Sequence, residues 1–298
     1  MKIVRQEKAI SPLFINGFVL KILAFFFMTL DHLGFAFALS KNPMLAPLVE
    51  PFRDLGRIAF PLFMFMVSEG MAKSKRKGRY LLRVLAMYLL ITIGETIAIN
   101  IPYFASLGVS SRQLGGHAFT DILMNAAVLY FLYQKGWKKA LAILPFGFIL
   151  FSHIVSVQED LGTYLENVFP MFLRSGYGLL GPALCLGFTL GLQGFKVFCS
   201  KKRLEMNPLL QQFLSNVFSC LGAIVLVAIL AIPSCLLLKG YEYGRAFWIY
   251  ESFGAFAFLL LLPYSGKRGY DALWWRIFSY FYFVLHLGVI FLLLALVF

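Results

Sequence analysis

Nine apolar stretches, each bounded by charged or turn residues, constrain this chain more than any other feature of its sequence. A bilayer core about 30 Å thick requires about 20 apolar residues to cross it as a helix. Backbone polar groups inside lipid must pair within the chain, and the alternation at every second residue that marks a membrane β-barrel is absent. The sequence therefore predicts an all-α, polytopic transmembrane helical bundle with about nine spans. The predicted spans are Phe14–Leu39, Phe52–Met71, Leu81–Ile101, Ala118–Gln134, Leu141–Val157, Pro170–Phe198, Phe213–Leu238, Ala246–Pro263 and Leu273–Val297.

The composition excludes the other broad classes of protein. Hydrophobic residues make up 60% of the 298 residues and charged residues only 14%, whereas soluble domains are about 45–50% apolar and about 25% charged. The 33 Phe residues exclude a disordered chain. The net charge of +13 indicates either nucleic-acid binding or membrane topology, depending on where the basic residues fall.

The basic residues follow the predicted loops. Of the 27 Lys and Arg residues, 19 lie in the N-terminal segment 1–13, in alternate loops and at the start of the last span. The positive-inside rule therefore places the short N-terminal segment in the cytoplasm and, with nine spans, the C-terminus outside. We expect no nucleic-acid partner. The basic run Lys73–Arg83 is expected to contact the heads of anionic membrane lipids, with a phosphate-rich cytoplasmic cofactor as the alternative.

Ionisable side chains within the spans indicate function, because they are costly to place in lipid. In the predicted topology several of them fall toward the outer half of their helices, which predicts a polar cavity on that side. His32 is a candidate general base, since imidazole titrates near neutral pH. The alternative pairs Asp31 with Arg57 and leaves His32 bonded to a backbone carbonyl. The intramembrane residues are Lys21, Asp31, His32, Arg57, Glu69, Glu95, Asp121, Glu251 and His286, with His117 and His153 near helix ends.

Several segments resemble the TraX family, which takes its name from a membrane protein that acetylates F-pilin. The sequence departs from the family pattern at His117, Gly176 and Val284, where an Asn, an Asp and a Pro are usual. The resembling segments are Leu20-Lys21-Ile22, Met28-Thr29-Leu30-Asp31-His32-Leu33-Gly34, Gly56-Arg57-Ile58-Ala59-Phe60-Pro61-Leu62-Phe63, Glu69-Gly70, Tyr80-Leu81-Leu82-Arg83, Glu95, Phe119-Thr120, Tyr177-Gly178-Leu179-Leu180-Gly181, Gly266-Lys267-Arg268-Gly269 and Phe281-Tyr282-Phe283-Val284-Leu285-His286-Leu287.

The resemblance implies one TraX-like domain over residues 1–298, in the plasma (inner) membrane of a bacterium. It implies an acetyltransferase that uses acetyl-CoA, requires no metal, and modifies an amine or hydroxyl of a membrane or envelope acceptor, such as a pilin-like peptide, a glycan or a lipid. By analogy with membrane acyltransferases that carry an early-helix histidine, His32 would take the proton of the acceptor. The other predicted catalytic residues are Asp31, Glu95 and His286, and the predicted cofactor-binding residues are Arg57, Lys73, Arg76 and Arg83.

A second hypothesis is a proton-coupled transporter or a lipid flippase. In that case the intramembrane carboxylates would form a relay for protons or cations. Transporters often contain paired broken helices in two repeated halves, and no internal repeat is visible here. The relay would consist of Asp31, Glu95, Asp121 and Glu251.

Overall fold

The computed structural model describes residues 13–102, 118–160, 169, 173–202, 206–238 and 246–297. These residues contain helices and no β-strand, so the predicted all-α class is confirmed. The helices are α1 (Gly17–Ser40), α2 (Ala46–Gly56), α3 (Ala59–Lys73), α4 (Lys77–Ile99), α5 (Ala118–Leu132), a 3₁₀ helix (Gly136–Ala142), α6 (Ile143–Asp160), α7 (Leu180–Lys202), α8 (Pro208–Leu237), α9 (Phe247–Glu251), a second 3₁₀ helix (Ser252–Ala255), α10 (Phe256–Leu261) and α11 (Leu273–Val297).

Six helical segments within the described residues are long and apolar enough to cross a membrane. They correspond to the first, second, fifth, sixth, seventh and ninth predicted spans. The fourth and eighth correspond to shorter apolar helices, and the third overlaps α4, which is not one of the six. A multi-pass helical bundle is thus confirmed, while the count of nine and the cytoplasmic N-terminus stay predictions.

Three predicted spans are not single continuous helices. The second is interrupted at Arg57 and Ile58, which form a turn between α2 and α3. In the sixth, α7 begins only at Leu180 and residues 174–179 before it are irregular, and the eighth is divided by the 3₁₀ helix Ser252–Ala255. Hydropathy sums apolar character over a window, so it does not detect a break inside an apolar stretch.

Helix α3 lies at the centre of the described bundle. It packs against α1, α4, α5, α7 and α10, and most of its side chains are buried. Charged side chains lie at both of its ends, because Arg57 precedes it and the pair Glu69 and Lys73 closes it. With a rise of 1.5 Å per residue, the 15 residues of α3 separate these polar groups by about 20 Å.

Helices α7 and α8 pack backbone against backbone through glycines. A Cβ atom added to Gly191 would lie 2.0 Å from the carbonyl oxygen of Phe218, and one added to Gly187 would lie 2.4 Å from the Cα of Ala223. Small residues spaced four apart allow this close approach between helices in lipid. The contact therefore depends on the absence of side chains at these positions.

We predict that Gly191→Ala will lower the stability of the bundle by about 1–3 kcal/mol, the usual cost of overpacking a close contact. Thermal unfolding in detergent micelles measures the change. Gly194→Ala is the matched control on the same helix, because a Cβ there meets nothing within 4 Å. In both variants the replacement of glycine by alanine also favours the helix itself by up to about 1 kcal/mol. Equal midpoints for the two variants would contradict the close packing of α7 and α8.

Candidate functional site

A buried ion cluster joins α1, α2, the turn after α2 and α9. Asp31 accepts hydrogen bonds from both Arg57 and Arg53, and the Arg53 Nη1 to Asp31 Oδ2 distance is 2.8 Å. Arg57 Nη1 also donates to Glu251 Oε1 at 3.1 Å. The Arg57 and Glu251 side chains are only 7% and 5% exposed. Two carboxylates and two guanidinium groups thus balance in charge, as burial in a low dielectric requires.

The break between α2 and α3 places Arg57 in this cluster. Gly56 packs directly on α1, where an added Cβ would lie 2.3 Å from the Cβ of Asp31. This close approach brings the next residue, Arg57, beside Asp31. The ring of Pro61 has no N–H to donate, so the carbonyl of Arg57 four residues earlier receives no helical hydrogen bond from it. The sequence motif Gly56-Arg57-Ile58-Ala59-Phe60-Pro61 therefore builds the turn that carries the guanidinium.

A second polar cluster, centred on Asp121 of α5, holds the irregular segment before α7. The Asp121 carboxylate accepts hydrogen bonds from the Ser175 hydroxyl and from the backbone N–H groups of Gly176 and Tyr177, the latter two at 2.8 and 3.1 Å. Tyr177 then stacks on Phe60, with ring centroids 3.6 Å apart. Asp121 therefore fixes the position of Tyr177.

Tyr177 connects this segment to the ion cluster. Its hydroxyl oxygen lies 3.5 Å from Arg57 Nη1, and the guanidinium also lies over the ring of Tyr250, 4.6 Å from the centroid. The Nε atom of Arg57 donates to the carbonyl of Arg53 at 3.3 Å. Each of the three guanidinium nitrogens therefore donates to a protein group.

Two histidines from opposite ends of the chain form a hydrogen-bonded pair between α1 and α11. His32 Nδ1 lies 2.7 Å from His286 Nε2, and His286 Nδ1 lies 2.8 Å from the carbonyl oxygen of Tyr282. His286 is buried, whereas His32 is partly exposed. The ring of Tyr282 stacks on His286, with centroids 5.0 Å apart, and its hydroxyl lies 2.7 Å from Thr29 Oγ1.

These contacts determine which nitrogens carry protons. A carbonyl oxygen only accepts hydrogen bonds, so His286 carries its proton on Nδ1 and, when neutral, has a lone pair on Nε2. His32 must then donate from Nδ1, which leaves the lone pair on its Nε2. That atom makes no hydrogen bond to any residue the structure describes. Two imidazolium ions so close together would repel strongly, which favours this neutral arrangement.

A third polar group lies at the C-terminal end of α3, opposite the end that Arg57 precedes. Glu69 accepts hydrogen bonds from Lys73 Nζ at 2.6 Å and from the Tyr264 hydroxyl at 2.7 Å. Lys73 Nζ also donates to the carbonyl of Gly266 at 2.6 Å. This cluster fastens the end of α3 to the loop between α10 and α11.

The predicted site residues therefore divide into groups. Asp31 pairs with Arg57 and His32 contacts His286, so these four residues lie around α1. Lys73 lies at the far end of α3, and Arg76 and Arg83 are exposed beyond it. The backbone of Glu95 lies in α4, but its side chain and the whole of His117 lie outside the described residues.

The alternative interpretation of the first helix, in which Asp31 pairs with Arg57 and His32 with a backbone carbonyl, is met in part. The predicted pairing of Asp31 with Arg57 is confirmed. The backbone partner predicted for His32 in that same alternative is wrong, because its Nδ1 contacts His286 instead. The predicted roles of these side chains, including contact between Arg57 and a cofactor, stay predictions.

Three contributors were not predicted from the sequence. Arg53 is not among the predicted site residues, yet it lies in α2 one turn before Arg57, so the two guanidinium groups face α1 together. The spacing of four residues was the available signal. Tyr177 and Tyr282 lie within the recognised motifs, but no spacing in the sequence indicates their contacts with Arg57 and His286.

We predict that Arg57→Leu will destabilise the protein by about 3–5 kcal/mol, because it leaves two buried carboxylates without their shared partner. The thermal unfolding midpoint of the purified protein measures the loss. Arg268→Leu is the matched control, since its ion pair with Asp271 is exposed and such pairs contribute about 0–1 kcal/mol. A midpoint for Arg57→Leu equal to that of the control would show that the ion cluster does not support the fold.

Comparison with known families gives one match. Residues 16–109 match the family model described as TraX protein. This range contains α1, the α2–α3 turn and the Asp31–Arg57 pair, whereas the resembling segments around Tyr177 and His286 lie beyond it. Neither the curated proteins nor the solved structures give a match to the chain. The match confirms the resemblance found in the sequence, and the chain is a multi-pass membrane protein that matches the TraX family over residues 16–109.

Proposed function

We propose that this protein is an integral-membrane acetyltransferase of the bacterial plasma membrane. It transfers an acetyl group from acetyl-CoA to an amine or hydroxyl of a membrane or envelope acceptor, of which a pilin-like peptide is one candidate. The supporting observation is the hydrogen-bonded series from the Tyr282 carbonyl through His286 to His32. The TraX match supports the acetyl group as the group transferred.

The series gives His32 the properties of a general base. His286 Nε2 accepts a hydrogen bond from the N–H at His32 Nδ1 and so orients the ring of His32. The third member of a catalytic triad orients its histidine in the same way. The basic lone pair then lies on Nε2, the nitrogen without a partner in the described residues. Aromatic contacts hold the pair, because Phe283 meets both rings edge-on at centroid distances of 5.4 and 5.3 Å.

The proposed reaction balances around this nitrogen. His32 Nε2 takes the proton as the acceptor oxygen or nitrogen attacks the thioester carbonyl. The carbon–sulfur bond breaks, the acetyl group stays on the acceptor, and the leaving sulfur takes the proton from His32 to give the free thiol of coenzyme A. The imidazolium formed between these steps is stabilised by its hydrogen bond to His286, whose own N–H points at the Tyr282 carbonyl.

The contacts of the described intramembrane carboxylates support the transporter hypothesis less well. Asp31 and Glu251 are held by arginines, and Asp121 accepts three hydrogen bonds from the segment before α7. A relay requires carboxylates that gain and lose protons in turn, whereas these are fixed in ion pairs or by backbone donors. We therefore assign the cluster a structural role, which is to hold α1 and α2 in the position that presents His32.

The direct test uses purified protein in lipid vesicles with radiolabelled acetyl-CoA and envelope material from cells that lack the protein. We expect label in the acceptor fraction with wild type, and a loss of at least about a hundredfold in rate with His32→Gln, the typical contribution of a general base. His153→Gln, in α6, is the matched histidine control. Wild-type activity in His32→Gln, or proton-coupled solute uptake without label transfer, would refute the proposal.

We further predict that His286 acts by positioning His32. In His286→Leu the proton on His32 Nδ1 loses its acceptor, so we expect kcat to fall by about tenfold or more while KM stays unchanged. His286→Gln restores an amide oxygen that accepts this proton and should recover much of kcat. A change confined to KM, or equal rates in the two variants, would show that His286 does not position His32.

A further inference from the structure

A cavity of about 250 Å³ lies between α3, α7 and α8, at the end of α3 that carries Glu69 and Lys73. Its lining residues on α7 run from Phe188 to Lys196 and so begin beside the glycine contact of α7 with α8. Small-molecule pockets typically measure about 300–1,000 Å³, so this space accommodates one end of a ligand rather than a whole cofactor.

The floor of the cavity is apolar and its mouth is rich in hydrogen-bond donors. Phe65, Phe188, Leu192 and Phe195 form apolar wall, and Ser68 and Asn216 beside them are buried with partners in the protein. The donors at the mouth come from α7 and from the first two turns of α8. They are Lys196, Gln211 and Ser215.

These donors are uncommitted within the described part of the chain. Lys196 forms no ion pair there, and neither the Gln211 amide nor the Ser215 hydroxyl has a hydrogen-bond partner there. Lys73 uses two of its three N–H donors, for Glu69 and for the carbonyl of Gly266. Glu69, the only carboxylate among the described lining residues, already accepts hydrogen bonds from Lys73 and Tyr264. The cavity therefore presents positive charge and free donors above an apolar floor.

We propose that this cavity binds the phosphate-bearing end of an organophosphate ligand. The phosphate contacts Lys196 and Lys73, Gln211 and Ser215 donate to its oxygens or to the adjoining polar groups, and an uncharged chain extends along the phenylalanines. Lysine ammonium groups bind phosphate as point charges, and basic pockets between membrane helices suit phosphorylated head groups. The site is separate from the His32 pair and does not depend on the proposed acetyl transfer.

Two sources supply this chemistry, namely coenzyme A and an anionic phospholipid. Calorimetry of the purified protein in neutral detergent measures binding of coenzyme A. Native mass spectrometry after incubation with equal phosphatidylglycerol and phosphatidylcholine measures selective retention of the anionic lipid. Both measurements read binding alone, so failure of the proposed acetyl transfer would leave them unaffected.

For the probe that binds, we expect Lys196→Gln to weaken binding about tenfold, the contribution of one charge-assisted hydrogen bond. Ser215→Leu fills the cavity and should weaken binding at least as much. Lys202→Gln is the matched control, because Lys202 lies on the same helix outside the lining, and should change affinity less than twofold.

Effects on coenzyme A alone would assign the cavity to the nucleotide, and effects on phosphatidylglycerol alone would assign it to lipid. No binding of either probe, or binding unchanged in both Lys196→Gln and Ser215→Leu, would overturn the proposal.

Discussion

The burial of one guanidinium group governs the arrangement of the helices around α1. Arginine stays charged in any environment a protein provides, so Arg57 requires carboxylates that are themselves buried. Asp31 from α1 and Glu251 from α9 supply them, and Arg53 balances the second negative charge. Segments far apart in the sequence therefore converge on one point. The turn between α2 and α3, which interrupts the second apolar stretch, contains Arg57 itself and so places its side chain in the cluster.

The central helix α3 links that cluster to the polar group of Glu69 and Lys73, about 20 Å away along its axis. One end begins at the Arg57 turn, and the other end carries the Glu69–Lys73 pair and the cavity beside α7 and α8. In the predicted orientation the His32 pair faces the outer half of the membrane and the cavity opens toward the cytoplasm. An acceptor from the envelope and a phosphorylated ligand from the cytoplasm would thus approach the protein from opposite sides.

The sequence predicted those features that follow from the cost of charge in lipid. A pairing of Asp31 with Arg57, each of which is costly alone in lipid, was one of the two interpretations left open, and the structure pairs them. The contact of His32 with His286 was beyond prediction, since 254 residues separate the two and no periodicity relates their helices. The break at Ser252 was missed because apolar character continues across it.

The identity of the partner of His32 has a chemical consequence. A carboxylate at this position would add a buried negative charge, but Asp31, the nearest carboxylate in the sequence, is already held by two arginines. A neutral imidazole orients His32 without adding charge to the membrane interior, at the cost of weaker stabilisation of the imidazolium. The backbone carbonyl of Tyr282 partly offsets this cost, because its partial negative charge is aligned with the N–H of His286. Such a base suits a reaction in which the proton is held only briefly, as in transfer of an acetyl group from a thioester, better than stable storage of a proton during transport.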